Sequence, residues 1–166
     1  MVHSEPVNLM VSFFLTVGII LPFAYTSYKA KIKNQLASSF QEFTELHHLH
    51  PTMIEKWKNH QLAFDATQNK LLYFRHGNYP EQTVINLKEI KNISIQEYSH
   101  SSGPGKYKHD VMDYLGVKLQ YIDESHPPKM LEIYDGKLFP SISSERSIAK
   151  KWLEILQRQI KMNQPD

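Results

Sequence analysis

The side chains able to do chemistry here begin with histidine, because the chain has no cysteine to supply a thiolate ligand, a redox pair or a thiol nucleophile. His47, His48 and His50 form a cluster. On a helix His47 and His50 are three residues apart and face one way, so these two are the candidate metal ligands. They have no third acidic or imidazole ligand at a recognised spacing and no HExxH, so no metal or other cofactor is expected and a polar helix end is the plainer reading. Residues 101–106, Ser-Ser-Gly-Pro-Gly-Lys, have the look of a phosphate loop. A Walker loop needs glycine five residues before its Gly-Lys pair and a hydroxyl after it, and those places hold His100 and Tyr107. The segment is better read as a hairpin loop, and its tail, Lys106, Tyr107, Lys108 and His109, is the first choice for a partner-contacting surface. No GxSxG is present and no acid, base and nucleophile occur at a telling spacing, so the expectation is a protein that is not an enzyme.

Charge excludes a further class. Residues 52–140 hold eleven Lys or Arg and eleven Asp or Glu, so this stretch has no excess charge with which to hold a nucleic-acid backbone. The positive excess lies elsewhere, in Lys29, Lys31 and Lys33 and in the C-terminal segment with Arg146, Lys150, Lys151, Arg158 and Lys161. Both clusters would be drawn to an anionic membrane surface, which keeps lipid binding open as an alternative function.

The elements that must carry these residues differ along the chain. Between Pro6 and Tyr28 there is no charged residue, and residues 9–24 are apolar on every face. About 20 such residues, at 1.5 Å each, span a hydrocarbon core of about 30 Å, so a transmembrane helix is expected here. Tyr25 and Tyr28 stand at its end and the three lysines follow, which predicts an outside N-terminus and a cytoplasmic remainder, a single-pass protein of the inner membrane. A cleaved signal peptide is the alternative, although the segment lacks a basic n-region and a clear cleavage site. Residues 29–51 continue as an amphipathic juxtamembrane helix with Ile32, Leu36, Phe40 and Phe43 on one face, stopped before Pro51. That stripe is covered by the chain's own domain or, through residues 32–43, by a second copy in a homodimer.

From residue 52 the period changes to that of strands. Residues 53–57, 60–65, 70–75, 82–86, 92–98, 114–122 and 129–134 read as seven short antiparallel strands, with a long polar loop at 99–110. Ile93, Ile95 and Glu97 share a side, as do Leu115, Val117, Leu119 and Tyr121. A helix over about 144–162 closes the chain, capped by Ser143 or Ser144. Ile148, Trp152, Ile155 and Leu156 form its apolar face, with Ala149 and Ile160 at the margins. The fold class expected is therefore α+β: a transmembrane helix (1–28), a juxtamembrane helix (29–51), then a β-sandwich or partial barrel capped by a C-terminal helix (52–166).

Seven strands followed by one Trp-bearing helix resemble the pleckstrin-homology superfold. The stretches Leu62-Ala-Phe-Asp65, Lys70-Leu-Leu-Tyr73, Ile85-Asn-Leu-Lys-Glu-Ile90 and Ala149-Lys-Lys-Trp152 are similar to membrane-anchored PH-like proteins of unknown function in bacteria. The resemblance covers about residues 52–162, rests on core and turn positions, and implies an interaction domain, here an accessory subunit that binds another protein of a membrane complex. Phosphoinositide-binding members of that superfold use a basic cluster in the first hairpin loop. Neither Trp57 to His60 nor Asp65 to Lys70 has that density of positive charge, so those ligand positions are not transferred.

Overall fold

The computed structural model describes residues 20–22, 25, 27, 39–77 and 79–163. The chain divides into two compact units, residues 1–49 and 50–166. In the first, residues 39–46 are helical (α1). Its end is a Schellman motif: the Leu49 N–H donates to the Thr44 carbonyl at 2.8 Å and the His48 N–H to the Glu45 carbonyl at 3.1 Å, with His48 at a φ of 51°. The helix therefore stops short of the expected Pro51 boundary.

Among the described residues no helix is long and apolar enough to cross a membrane. Among the described residues, then, the expected transmembrane helix and the single-pass inner-membrane placement are contradicted. The physical reason is composition: the described residues of α1 include Gln41, Glu42, Thr44 and Glu45, and the C-terminal helix carries Lys, Arg or Glu in each of its turns. Of the predicted span only residues 20–22, 25 and 27 are described, while Lys29, Lys31, Lys33, Ile32 and Leu36 lie outside the described residues, as does most of the 32–43 stripe offered for a homodimer.

The second unit consists of two antiparallel sheets and a helix. Strands β1 (Met53–Trp57), β2 (His60–Asp65), β3 (Lys70–Arg75) and β4 (Glu81–Asn86) form one sheet in that order. Strands β5 (Ile90–Ser102), β6 (His109–Tyr121) and β7 (Lys129–Asp135) form the other. The β2–β3 turn forms because Asp65 accepts the Gln68 N–H at 2.9 Å and Asn69 takes a φ of 57°, a backbone conformation that Asn tolerates. Inward positions repeat every second residue, Leu62 and Phe64, Leu71 and Tyr73, Leu115, Val117 and Leu119, and their side chains fill one core. Hydrogen bonds tie the sheets together, among them that of the Trp57 indole N–H to the Ile133 carbonyl at 2.8 Å and that of the Tyr73 hydroxyl to the Glu132 carbonyl at 3.0 Å.

Helix α2 (Glu145–Asn163) packs on this core with Ile148, Ala149, Trp152, Leu156 and Ile160 buried. Ala149 and Ile160 are central to the buried stripe, and Ile155, expected on it, is only partly buried. Ser144 holds the N-terminus, its carbonyl accepting the Ile148 N–H at 3.0 Å. On the far side of the helix start, Glu55 of β1 accepts from the Trp152 indole at 2.8 Å and from Lys151 at 2.9 Å.

The largest departure within the β region is at 99–110. A polar loop was expected because the residues there are Ser, His, Gly and Lys, yet β5 runs to Ser102 and β6 begins at His109. Backbone pairing needs no apolar side chain, and the cross-strand bonds Ser101 Oγ to Asp110 and His100 Nδ1 with Asp113 give this polar ladder its own side-chain ties.

Candidate functional site

The β5–β6 hairpin is longer than the sheet it belongs to. β6 pairs with β7 only over residues 114–119, whereas it pairs with β5 as far as Ser102 and His109. The rungs His100–Val111, Ser101–Asp110 and Ser102–His109 therefore form a two-stranded arm, with a 3₁₀ turn, Gly105–Tyr107, at its tip. Gly103 (φ 105°) and Gly105 (φ 52°) make that tip possible, since both angles favour glycine. Four of the sequence-predicted site residues, Lys106, Tyr107, Lys108 and His109, are thus brought together at the end of the arm and are all exposed. Tyr107 is 82% exposed, the most exposed large hydrophobic side chain among the described residues.

At the base of the arm a register shift lies between Tyr98 and Ser99. It leaves Asp113 outside the regular pairing, where its carboxylate is 2.7 Å from His100. Just inside it, Tyr98 faces Tyr114 across the ladder, on the side of the sheet opposite Ile93 and Ile95, with ring centroids 6.0 Å apart and planes inclined by 44°. The two rings, with Met130, Asp113, Asp135 and Lys137, line a mainly apolar groove of about 450 Å³. The Tyr114 ring lies over Gly116, and a Cβ there would come within 2.8 Å of the Tyr114 hydroxyl and 2.9 Å of the Met130 sulfur. Burial, and then the negative charge of Glu132, push the Tyr114 hydroxyl up to about 12, so it stays a neutral donor at physiological pH. This groove is not legible in the sequence. Its residues come from three strands, and only the alternation of Gln96 and Tyr98 against Ile95 pointed to an outward aromatic.

Histidine and carboxylate meet in three places. His60 Nε2 is 3.2 Å from Glu132, His100 Nδ1 is 2.7 Å from Asp113, and His126 Nδ1 is 3.0 Å from Asp123. The first is part of a chain of charges that joins β2, β3, β4 and β7: Arg75 binds Glu132 at 2.8 Å and approaches Glu81 at 3.5 Å, and Lys129 also binds Glu81. The hydrogen bond from His60 and the positive charge of Arg75 hold the Glu132 carboxyl below its ordinary value despite burial. Among the described residues no serine or threonine hydroxyl is hydrogen-bonded to any of these three imidazoles.

His47 and His50 are not brought onto one helical face. The helix ends before both: His47 lies in the turn against the Phe43 ring, and the backbone N–H of His50, in the second unit, donates to Asp65 at 2.7 Å. Among the described residues no three His, Asp or Glu side chains are grouped to hold a metal ion. Of the basic side chains on α2, Lys151 is engaged by Glu55 and Arg146 lies 3.9 Å from Glu97, which leaves Lys150, Arg158 and Lys161 as the exposed charges available to an anionic surface.

The chain matches no family model, no curated protein and no solved structure.

Proposed function

We propose that this chain is a non-enzymatic interaction protein whose C-terminal domain, PH-like in the order of its seven strands and final helix, binds another protein through the β5–β6 arm. The observation that carries this reading is the arm itself, two paired strands that continue past the sheet and hold a Tyr flanked by two Lys in solvent. Exposed Tyr on a backbone ordered in advance is the kind of anchor that dominates protein interfaces, because it buries a large area while losing little side-chain freedom. The ladder supplies the order: residues 99–102 and 109–112 are already paired, so docking costs little backbone entropy. A partner protein, and not a chemical transformation, is also the reading favoured by imidazoles whose neighbours are carboxylates without a hydroxyl nucleophile.

Photo-crosslinking tests this. A benzophenone side chain placed at Tyr107 in the full chain, in its native cell, is expected to give a discrete adduct with one protein. The same group at Lys91, on the surface away from the arm, should not give that adduct. Identical adduct patterns from both positions, or none from position 107, would overturn the proposal.

A further inference from the structure

We infer that the groove between Tyr98 and Tyr114 receives an arginine side chain of the partner protein that the arm engages. The inference rests on the reading of the arm as a binding surface and adds the chemistry of what is bound. Three features of the groove select a guanidinium. First, its floor and wall are two tyrosine rings whose faces attract a cation, and a planar guanidinium stacks on such a face while keeping its edge free for hydrogen bonds. Tyr98, at 57% exposure, has most of its surface still to cover. Second, its rim carries two carboxylates, Asp113 and Asp135, against one cation, Lys137, so a cation entering the groove meets a net negative rim. Asp135 uses one oxygen to accept the Lys137 N–H at 2.8 Å and Asp113 uses one on His100, so neither carboxylate is fully engaged. Third, Gly116 gives the room: with no Cβ beneath it, the Tyr114 ring can lie close to the sheet, and the groove is open above it.

Charge is graded along the arm in a way that also fixes the partner's orientation. The tip holds Lys106 and Lys108, and the base holds Asp113 and Asp135. Tyr98 and Ser102 are separated by about 14 Å of extended strand and the tip lysines lie beyond Ser102, so the complementary surface presents acidic groups to the tip and an arginine more than about 14 Å away. Lys137 is the one cation on the rim. It opposes the incoming guanidinium, so its removal should strengthen binding.

The probe is N-acetyl-arginine methylamide, titrated into the full chain with the tyrosine ring signals followed by NMR; N-acetyl-citrulline methylamide, of the same shape but uncharged, is the control. The arginine probe is expected to shift the Tyr98 and Tyr114 rings saturably, and the citrulline probe is not. Tyr98→Ala should weaken the titration roughly three- to tenfold, with Tyr98→Phe close to wild type because the ring face is kept. Asp113→Asn should also weaken it, Lys137→Ala should strengthen it, and Lys91→Ala, on the surface away from the arm, should leave it unchanged. No saturable shift, or equal shifts with arginine and citrulline, would overturn the arginine assignment. If the adduct at position 107 forms while the arginine titration fails, the assignment alone is lost; if the adduct is absent, the arm reading is the one that fails.

Discussion

The Lys58 ammonium lies 2.6 Å from the carboxylate of Glu145, which is 1% exposed, so the turn between β1 and β2 is bound to the first residue of α2 by an ion pair whose carboxylate water barely reaches. Lys58 also donates to the Ser141 carbonyl at 2.9 Å and stands over the rings of Tyr134 and Phe139. Lys58→Met would strand a buried carboxylate and is expected to cost about 3 kcal/mol, whereas Glu145→Gln leaves an ammonium that can still reach solvent and should cost about 1 kcal/mol. The double substitution should be less damaging than the sum of the two. Urea unfolding of all three measures the order, and a Glu145→Gln cost equal to that of Lys58→Met would show that the pair is effectively solvated.

Acid should weaken the fold in two stages. Burial, then the charges of Lys56 and His60, hold His76 below its ordinary value of 6.5, so the unfolded chain takes up a proton there before the folded one does and stability declines as pH falls below about 6.5. Glu132, Glu145 and Asp65 are all held below their ordinary carboxyl values. For Glu145 and Asp65 burial acts the other way but is outweighed, by Lys58 and the Ser143 N–H in one and by the N–H groups of Gln68, His50 and Thr67 in the other. Each contributes stability that is present above its unfolded pKa and is lost as pH falls through the lower folded value. Urea midpoints followed from neutral pH to about 3 should therefore drop twice, His76→Gln removing the upper step and Asp65→Asn shrinking the lower one.

Gly116→Ala places a methyl group against the Tyr114 hydroxyl and the Met130 sulfur, both ends of movable side chains. The expected loss is about 1 kcal/mol, since those ends can swing away, but the Tyr98–Tyr114 arrangement should not survive. Denaturant melts and the ring-current shifts of the two tyrosines read the two effects separately. An unchanged pair of ring signals would mean that the groove tolerates a Cβ.

Gly103→Ala acts at the other end of the arm. Its φ of 105° suits glycine, and a Cβ would lie 2.5 Å from the Tyr107 carbonyl oxygen. Because the tip is remote from the core, global stability should change by less than about 1 kcal/mol while amide exchange over residues 99–102 and 109–111 accelerates. Capture of a partner through position 107 should fall with it. A variant that frays the arm and still captures the partner would place the contact elsewhere.

How far these features can be read in the residues depends on the range of the forces involved. The seven strands and the final helix are legible because alternation at Leu62, Phe64, Leu71 and Tyr73, and the Ile148, Trp152, Leu156 spacing, record which side of an element is dry. The early stop of α1 is harder to read: Pro51 is the obvious breaker, but His48 in a left-handed conformation ends the helix first, as Asn or Gly would more commonly do. The polar stretch at 99–110 is read as a loop because strand formation there rests on backbone pairing and on the His100–Asp113 and Ser101–Asp110 contacts across the hairpin, and not on an alternation of apolar side chains.

The sequence alone determined the seven strands and the final helix with most of their dry faces, the neutrality of the β region and its lack of any cysteine thiol, all of which depend on residue type and short spacing. Tertiary structure decided what lies outside that range. It extended the arm beyond its sheet, set Tyr98 against Tyr114 over the bare backbone of Gly116, buried Glu145 against Lys58, and linked His60, Glu132, Arg75, Glu81 and Lys129 into one chain of charge. Each of these depends on strand register and on the approach of one sheet to another, which are settled by the packing of the whole core and leave no mark in the spacing of neighbouring residues.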